Sequence, residues 1–351
     1  MKRPGKKALA TSAVVVMAAG AWAVPFTRAR LKAVAVLADA AGVPFPRPFA
    51  PDVEITEEEL AQDVTGDLYA PSDDAPVILF VPGAAEEGRD DPRVIRAATA
   101  LAKAGRRVFV PELNLYKRTL DRDDIERIAT AIELLARDDP IGILGFSYGG
   151  SLALIAASDP RVSDGVSFVA TFGAYFDLHN VIQGITTGVT ILDGSEVAFD
   201  RVPMARSILT SAAIDLASEA YAGALRAAIE AEDPRRLTPP AAAIYRLLMN
   251  RDPERAAGLV AATPARFRRA LEDFSPAGVL HRLGSPLYIL QSKRDAATPW
   301  TEAVLLDRAV GRSRLVMLNH FLHVDPPGVV GWLTDGPKAW WFLSWVLEEQ
   351  E

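Results

Sequence analysis

The chain has 351 residues, half of them hydrophobic, which is enough to bury the core of one large α/β domain with an insertion. Its formal net charge is −7 and its acidic residues are scattered, so nucleic acid is not an expected partner. Because the chain has no cysteine, disulfides, thiolate catalysis and cysteine-ligated zinc are excluded.

The N-terminal residues 1–26 have the composition of a targeting segment. Lysines and arginines among the first seven residues precede an uncharged run over residues 8–26, and Ala-Trp-Ala at 21–23 has the form of a cleavage site. This pattern predicts a cleaved signal peptide or an uncleaved membrane anchor. Either would place the protein outside the cytoplasm, secreted or tethered to the membrane. The alternative is an N-terminal helix of a cytoplasmic protein.

The next residues, 27–51, are predicted to form a short alanine-rich helix and a stiff, proline-spaced linker. From residue 52 to 179, short apolar runs alternate with helical patterns. The predicted strands are residues 62–69, 77–81, 107–110, the apolar run that begins at 141, and 166–170. This alternation predicts an α/β fold with a mostly parallel sheet flanked by helices.

Residues 180–277 interrupt the alternation. They are rich in Ala, Arg, Leu and Glu and are divided by prolines, and they are too long for a loop. We predict a helical cap inserted between strands of the sheet, the alternative being helices that thicken one face of the sheet. The core then resumes over residues 278–351. Here we expect strands at 286–290 and 314–318, and helices at 301–310 and 337–350.

The sequence Gly-Phe-Ser-Tyr-Gly at residues 145–149 carries the clearest chemical signal. It follows an apolar run and precedes a segment that favours helix, which is the strand, sharp turn and helix layout of a nucleophile elbow. Ser147 is therefore the candidate nucleophile. The alternative is an ordinary turn serine between glycines.

An aspartate and two histidines that follow Ser147 in the chain are candidates for the acid and the base that a serine nucleophile needs. Asp295 follows a late strand and is the candidate acid, unless it is a turn residue or a surface ion-pair partner. His320 and His323 both follow the last strand. We favour His323 as the base, with His320 as the alternative, because several residues are needed to carry an imidazole back over the serine. A His-x-x-His metal pair is another interpretation, but the sequence shows no further ligand cluster.

The order Ser147, Asp295, His323 resembles that of the α/β-hydrolase superfamily of serine hydrolases, over about residues 60–345. The chain is similar to esterase-like and dienelactone-hydrolase-like members, although dienelactone hydrolases carry cysteine at the elbow. The resemblance implies an α/β-hydrolase fold and an oxyanion hole formed by the backbone N–H groups of Tyr148 and Ala84, with Ala85 as a less favoured donor.

These features predict a serine hydrolase that cleaves an ester or related acyl bond of a small molecule through an acyl-enzyme on Ser147. The Leu, Ala and Ile content of the predicted cap indicates an apolar acyl or alcohol moiety. No phosphate loop or dinucleotide fingerprint is present, and neither a cofactor nor a metal is expected. The alternatives are an acyltransferase or peptidase on the same fold, and a catalytically silent, membrane-tethered binding protein.

Overall fold

The computed structural model describes residues 28–43, 50–85, 87–117, 120–217, 219–323 and 329–350. The predicted signal peptide or anchor, residues 1–26, lies outside these residues, as does most of the predicted linker. Among the helices that are described, none has the length and apolar character needed to span a bilayer.

Strands form one large sheet and one small hairpin in the described chain. They are β1 (Glu54–Ala61), β2 (Val64–Ala70), β3 (Val77–Val81), β4 (Arg107–Pro111), β5 (Ile141–Phe146), β6 (Val166–Phe172), β7 (Val189–Leu192), β8 (Ser195–Ala198), β9 (Leu287–Ser292) and β10 (Ser313–Leu318). The large sheet has eight strands in the order β1-β2-β4-β3-β5-β6-β9-β10. Strands β1 and β2 run antiparallel to their neighbours and the other pairs are parallel, which confirms the predicted fold class.

Helices pack on both faces of the large sheet, and the described chain contains further helices between β6 and β9. The helices are α1 (Arg28–Ala40), α2 (Pro92–Lys103), α3 (Arg122–Leu135), α4 (Ser147–Ala157), α5 (Leu178–Thr187), α6 (Pro203–Leu216), α7 (Glu219–Ala231), α8 (Pro239–Leu248), α9 (Pro253–Ala262), α10 (Ala265–Asp273), α11 (Trp300–Ala309) and α12 (Val329–Glu348).

The period-2 geometry of the strands divides the core into two layers. On β3, Leu79 and Val81 face one layer, which is shared with α3 and α4. Ile78 and Phe80 face the other layer, which is shared with α1, α2 and α12. A strand buried on both faces needs apolar residues at every position, which explains why the central strands are continuous apolar runs.

Strand β1 was not expected from the sequence. Its residues Glu-Ile-Thr-Glu-Glu-Glu-Leu-Ala are exposed or half-buried, and it forms the outer edge of the sheet. Charged side chains are a common protection of edge strands against further pairing, and they remove the apolar signal that identifies a buried strand.

Helix α1 packs into the core, although the sequence analysis placed it ahead of the folded domain. Its small residues Ala29 and Ala33 are fully buried against the layer that contains α2 and α12. The indole N–H of Trp340 on α12 donates to the carbonyl of Arg30 at 3.0 Å. Alanine side chains let helix backbones approach closely, so α1 is held as a structural part of this face.

The chain between β6 and β9 is mainly helical, from α5 to α10, as the composition indicated. It also contains the β7–β8 hairpin, which we did not expect. Asp193 and Gly194 form its two-residue turn, with φ values of 54° and 74°. Asp-Gly is a strong signal for a turn of this kind, which requires positive φ at both positions.

Helix α12 begins at Val329, eight residues before the predicted start, with Pro337 inside the helix. Proline is favoured at the first turn of a helix and disfavoured in its interior, so the sequence predicts a helix start at Pro337. Buried Phe342, Leu343 and Val346 anchor the helix to the sheet, and this packing outweighs the local preference.

Candidate active site

Ser147 lies at a sharp turn between β5 and α4. Its φ is 51°, in the left-handed region that non-glycine residues rarely adopt, and the residue is 7% exposed. The turn is tight because α4 passes close to the chain on either side. A Cβ atom at Gly149 would lie 1.9 Å from the carbonyl oxygen of Pro82, and one at Gly145 would lie 2.5 Å from the Cα of Gly150. Glycine is therefore required at both positions.

Asp295 and His323 are in direct contact. His323 Nδ1 lies 2.8 Å from Asp295 Oδ2, and because a carboxylate accepts, Nδ1 donates. The other oxygen of Asp295 accepts the backbone N–H groups of Ala297 at 2.8 Å and Thr298 at 2.9 Å. The buried carboxylate is thus fixed on both oxygens, and it holds the imidazole in one orientation.

The alternative histidine, His320, points to a different part of the molecule. Its Nδ1 is 3.0 Å from the hydroxyl of Thr334, and its backbone N–H donates to buried Asp335 at 2.7 Å. Both partners lie on α12. The structure therefore brings His323, and not His320, to Asp295. The Nδ1 atoms of the two histidines thus have different partners.

The second predicted donor of the oxyanion hole, Ala84, lies in the loop after β3. A Cβ atom at Gly83 would lie 3.0 Å from the Cβ of Ser147, so this loop passes directly beside the serine. The N–H of Ala85 donates to the carbonyl of Gly83 at 2.8 Å and is already used. Because this bond uses the N–H of Ala85, the N–H of Ala84 is the remaining candidate donor in the loop. Tyr148 is in the first turn of α4, where backbone N–H groups lack helical partners.

Comparison with known proteins gives structural likenesses at low identity. No family model matches the chain, and no curated protein sequence matches it. An α/β-hydrolase superfamily protein from Enterococcus faecalis is 13% identical, with 84% of this chain and 99% of that chain covered and a TM-score of 0.49. Dienelactone hydrolase from Anabaena variabilis is 16% identical, with 80% and 93% covered and a TM-score of 0.43. Acylaminoacyl peptidase from Pyrococcus horikoshii is 15% identical, with 78% and 38% covered and a TM-score of 0.45.

The topology decides the fold. A mostly parallel eight-stranded sheet carries a serine at the sharp turn after β5, an acid after β9 and a histidine after β10. The chain has the α/β-hydrolase fold. In an α/β-hydrolase the carboxyl ends of the strands form the edge at which ligands bind, and this is the edge that carries Ser147, Asp295 and His323.

A large cavity opens at this edge of the α/β-hydrolase sheet. Its volume is about 730 Å³, within the usual range for small-molecule sites. Four of the predicted site residues are among those that line it: Ser147, Tyr148, Ala84 and His323. Most of the other lining residues are apolar. Tyr148 is buried, and this burial raises the pKa of its hydroxyl above the usual range, so the group stays neutral.

Two residues that support the site were missed by the sequence analysis. Gln291, on β9, donates from Nε2 to Asp295 Oδ2 at 3.1 Å. Gly173 has a φ of 74°, and a Cβ atom there would lie 3.0 Å from His323 Cε1. A buried glutamine four residues before the acid carries no local signal. The glycine directly after β6 was readable as a turn, but its neighbours in space were not.

Metal ligands do not cluster in the part of the chain that is described. No group of three or more His, Asp or Glu side chains there is placed to hold a metal ion. His179, the histidine at the start of α5, is paired with Asp177 at 2.8 Å, and this hydrogen bond raises the pKa of its imidazole. His281 is exposed.

Proposed function

We propose that this protein is a serine hydrolase that cleaves an ester or related acyl bond through an acyl-enzyme on Ser147. The observation that carries the proposal is the Asp295–His323 hydrogen bond beside a cavity that Ser147 and His323 both line. A serine hydroxyl is a weak nucleophile unless a neighbouring base takes its proton, and the carboxylate would hold that base in the required tautomer.

The proposed reaction follows from this arrangement. With Nδ1 donating to Asp295, the other ring nitrogen of His323 accepts the proton of Ser147 as the serine oxygen attacks the carbonyl carbon. His323 then returns the proton to the leaving alcohol as the acyl-enzyme forms. A water molecule attacks the acyl-enzyme in the same way and releases a carboxylic acid, which regenerates Ser147.

Charge that develops on the carbonyl oxygen needs donors in place before the reaction. We assign this role to the backbone N–H groups of Tyr148 and Ala84. Tyr148 lies at the N-terminal end of α4, where the helix dipole favours negative charge, and the N–H of Ala85 is used in its own turn.

We also propose that residues 1–26 export or tether the enzyme, since basic residues precede their uncharged run.

The proposal is tested with Ser147→Ala in the full chain. Wild type is expected to react with a fluorophosphonate probe and to hydrolyse p-nitrophenyl butyrate, and Ser147→Ala is expected to lose both activities at an unchanged melting temperature. The matched control is Ser195→Ala, which changes an exposed serine at the first residue of β8. Equal labelling and turnover in Ser147→Ala and wild type would show that another group is the nucleophile. A wild type that neither labels nor turns over would favour the silent binding protein.

The acyltransferase and peptidase alternatives share the acyl-enzyme and differ in the acceptor or the leaving group. Product analysis separates them. Release of free carboxylic acid from an ester supports hydrolysis, whereas transfer to an added alcohol or amine in preference to water supports acyl transfer. Cleavage of an amide with no cleavage of the matching ester supports the peptidase.

A further inference from the structure

The cavity beside Ser147 lies mainly between the sheet and the helices of one face, with a smaller contribution from the predicted cap. Four of its lining side chains come from neighbouring strands and face the layer that contains α1, α2 and α12: Phe80, Leu144, Phe172 and Leu290. The helices of that layer form the rest of the wall. From the predicted cap region, the lining residues lie at the start of α6, within residues 202–208. The composition of the predicted cap indicates an apolar ligand moiety, but most of the residues that line this cavity belong to the core.

The deep part of the cavity is built from hydrocarbon. Val36 on α1, Leu101 on α2 and Leu343 on α12 line it, and each is less than a tenth exposed. The charged lining residues lie at the start of α2, where Asp91, which caps the helix, pairs with Arg93 at 2.6 Å. An apolar wall offers no hydrogen bonds to a polar ligand, and burying a polar group there without a partner is costly. The part of a ligand that enters this space must therefore be apolar.

The dimensions indicate an elongated occupant. The four strands that contribute side chains, β3, β5, β6 and β9, are consecutive in the sheet. Because neighbouring strands are about 4.8 Å apart, these four side chains span about 14 Å across the sheet, of which about 10 Å lies between β5 and β9. Ser147 stands at the end of β5, so a carbonyl held at its oxygen leaves a chain free to lie along this wall.

We propose that this cavity binds the hydrocarbon chain of a long-chain acyl group, with the carbonyl at Ser147 and the chain between the sheet and α1, α2 and α12. The inference rests on the proposed serine hydrolase function and deepens it. Helix α1 is part of the binding wall, through Val36 and Leu37. Acyl-chain length is set by the three helices on this face and not by the predicted cap.

The first test narrows the cavity. Ala97 on α2 and Leu37 on α1 are both half-buried, and both line the cavity. We expect Ala97→Phe and Leu37→Trp each to lower the ratio of kcat/KM for p-nitrophenyl laurate to that for p-nitrophenyl acetate by at least about tenfold, since pocket discrimination per methylene is about tenfold or more. Ile95→Phe is the matched control on α2, because Ile95 is exposed and does not line the cavity. It should keep the wild-type ratio.

Several outcomes contradict the inference. If both narrowing variants melt near wild type and keep its ratio, the acyl chain does not lie in this cavity. If instead they impair acetate esters of long-chain alcohols and spare long-chain acyl esters, the cavity binds the alcohol side of the substrate.

A second measurement does not depend on catalysis. The fluorescent fatty acid cis-parinaric acid is titrated into the full-length Ser147→Ala protein in one detergent at fixed concentration. We expect binding that weakens at least about tenfold when Ala97→Phe is added and that is unchanged when Ile95→Phe is added, again on the scale of pocket discrimination. Absence of binding to Ser147→Ala overturns the inference. If wild type cleaves no ester but this binding is present and sensitive to Ala97→Phe, the proposed function fails and the hydrocarbon site stands.

Discussion

At the scale of single residues, the candidate site contains backbone that is strained. Five non-glycine residues in the described chain have positive φ, and two of them are Ser147 at 51° and His323 at 60°. Such conformations cost about 1–3 kcal/mol each and persist where the surrounding packing fixes them. Here Gly149 and Gly173 provide the necessary space for the elbow and the imidazole, so the two glycines matter as much as the side chains they accommodate.

The two histidines after β10 are predicted to differ strongly in their effect on turnover. His323→Ala should lower kcat for p-nitrophenyl butyrate by about 10³-fold or more, because loss of a triad base typically has an effect of that order. His320→Ala should have a much smaller effect, since its ring contacts Thr334 on α12. The measurement is steady-state turnover of both variants, after their melting temperatures have been compared with wild type.

This comparison contains its own control, because both substitutions remove an imidazole from the same loop. If His320→Ala is inactive and His323→Ala retains turnover, the base assignment is wrong. The loop would then have to rearrange from the geometry described above, with His320 leaving Thr334 to reach Asp295.

At the scale of elements, a buried glutamate joins the sheet-side helix α11 to the chain that enters the predicted cap. Glu302 is fully buried, and its Oε2 accepts the backbone N–H groups of Phe176 at 3.1 Å and Asp177 at 2.8 Å. Burial raises the pKa of this carboxyl to about 7. The connection is therefore held by a group that titrates near neutral pH.

We predict that this carboxyl makes the folded state less stable as pH rises. Between its ordinary pKa of 4.5 and about 7, the unfolded chain releases the proton and the folded chain keeps it, so the stability contribution is complete below 4.5 and declines up to 7. The loss approaches about 3 kcal/mol. Urea unfolding of wild type and Glu302→Gln from pH 4.5 to 8 measures it as the change in the difference between the two free energies of unfolding.

The control for this titration is Glu230→Gln, an exposed glutamate on α7. If the free energies of unfolding of wild type and Glu302→Gln differ by a constant amount across the pH range, Glu302 does not titrate there. The size of that constant difference does not matter.

At the scale of the whole molecule, helix α1 lies between a predicted targeting segment in the sequence and the cavity that it lines. Helix α1 follows residues 1–26 almost directly and packs between α2 and α12, where it lines the cavity. Arg30 on α1 lies 5.1 Å from the ring centroid of Trp341, which is partly exposed. Basic and aromatic side chains of this kind are common at membrane interfaces. If residues 1–26 are a membrane anchor, this helix face is the part of the fold tied most closely to the bilayer.

The fractionation of cells that express the full chain tests this arrangement. We expect the protein in the membrane fraction, or outside the cytoplasm with its N-terminus near residue 24, because of the basic start and the uncharged run of residues 8–26. A chain that begins at residue 28 with an added methionine is the control and should remain in the cytoplasm. Soluble cytoplasmic protein that begins at Met1 or Lys2 would contradict the targeting prediction.

The sequence by itself determined the parts of the protein whose signals are local. Apolar runs fixed the central strands β3 to β6, and Asp91 before Pro92 fixed the start of α2, where its side chain accepts from the N–H of Arg93. The glycines around Ser147 marked the elbow, since no other residue fits that turn. Chain order then placed an acid and a histidine after the last two strands, which was enough to predict the fold.

The tertiary structure alone decided what depends on residues that are far apart in the chain. Loop reach favoured His323 over His320, but the contact with Asp295 is a property of packing. The contacts of Gln291 and Gly173 with the site residues likewise depend on tertiary packing. Helix α1 was predicted as an alanine-rich helix ahead of the folded domain, yet its small alanines let it pack closely against the core, and the helix lines the cavity. The location of that cavity depends on how three helices meet one face of the sheet, and no local pattern encodes such a meeting.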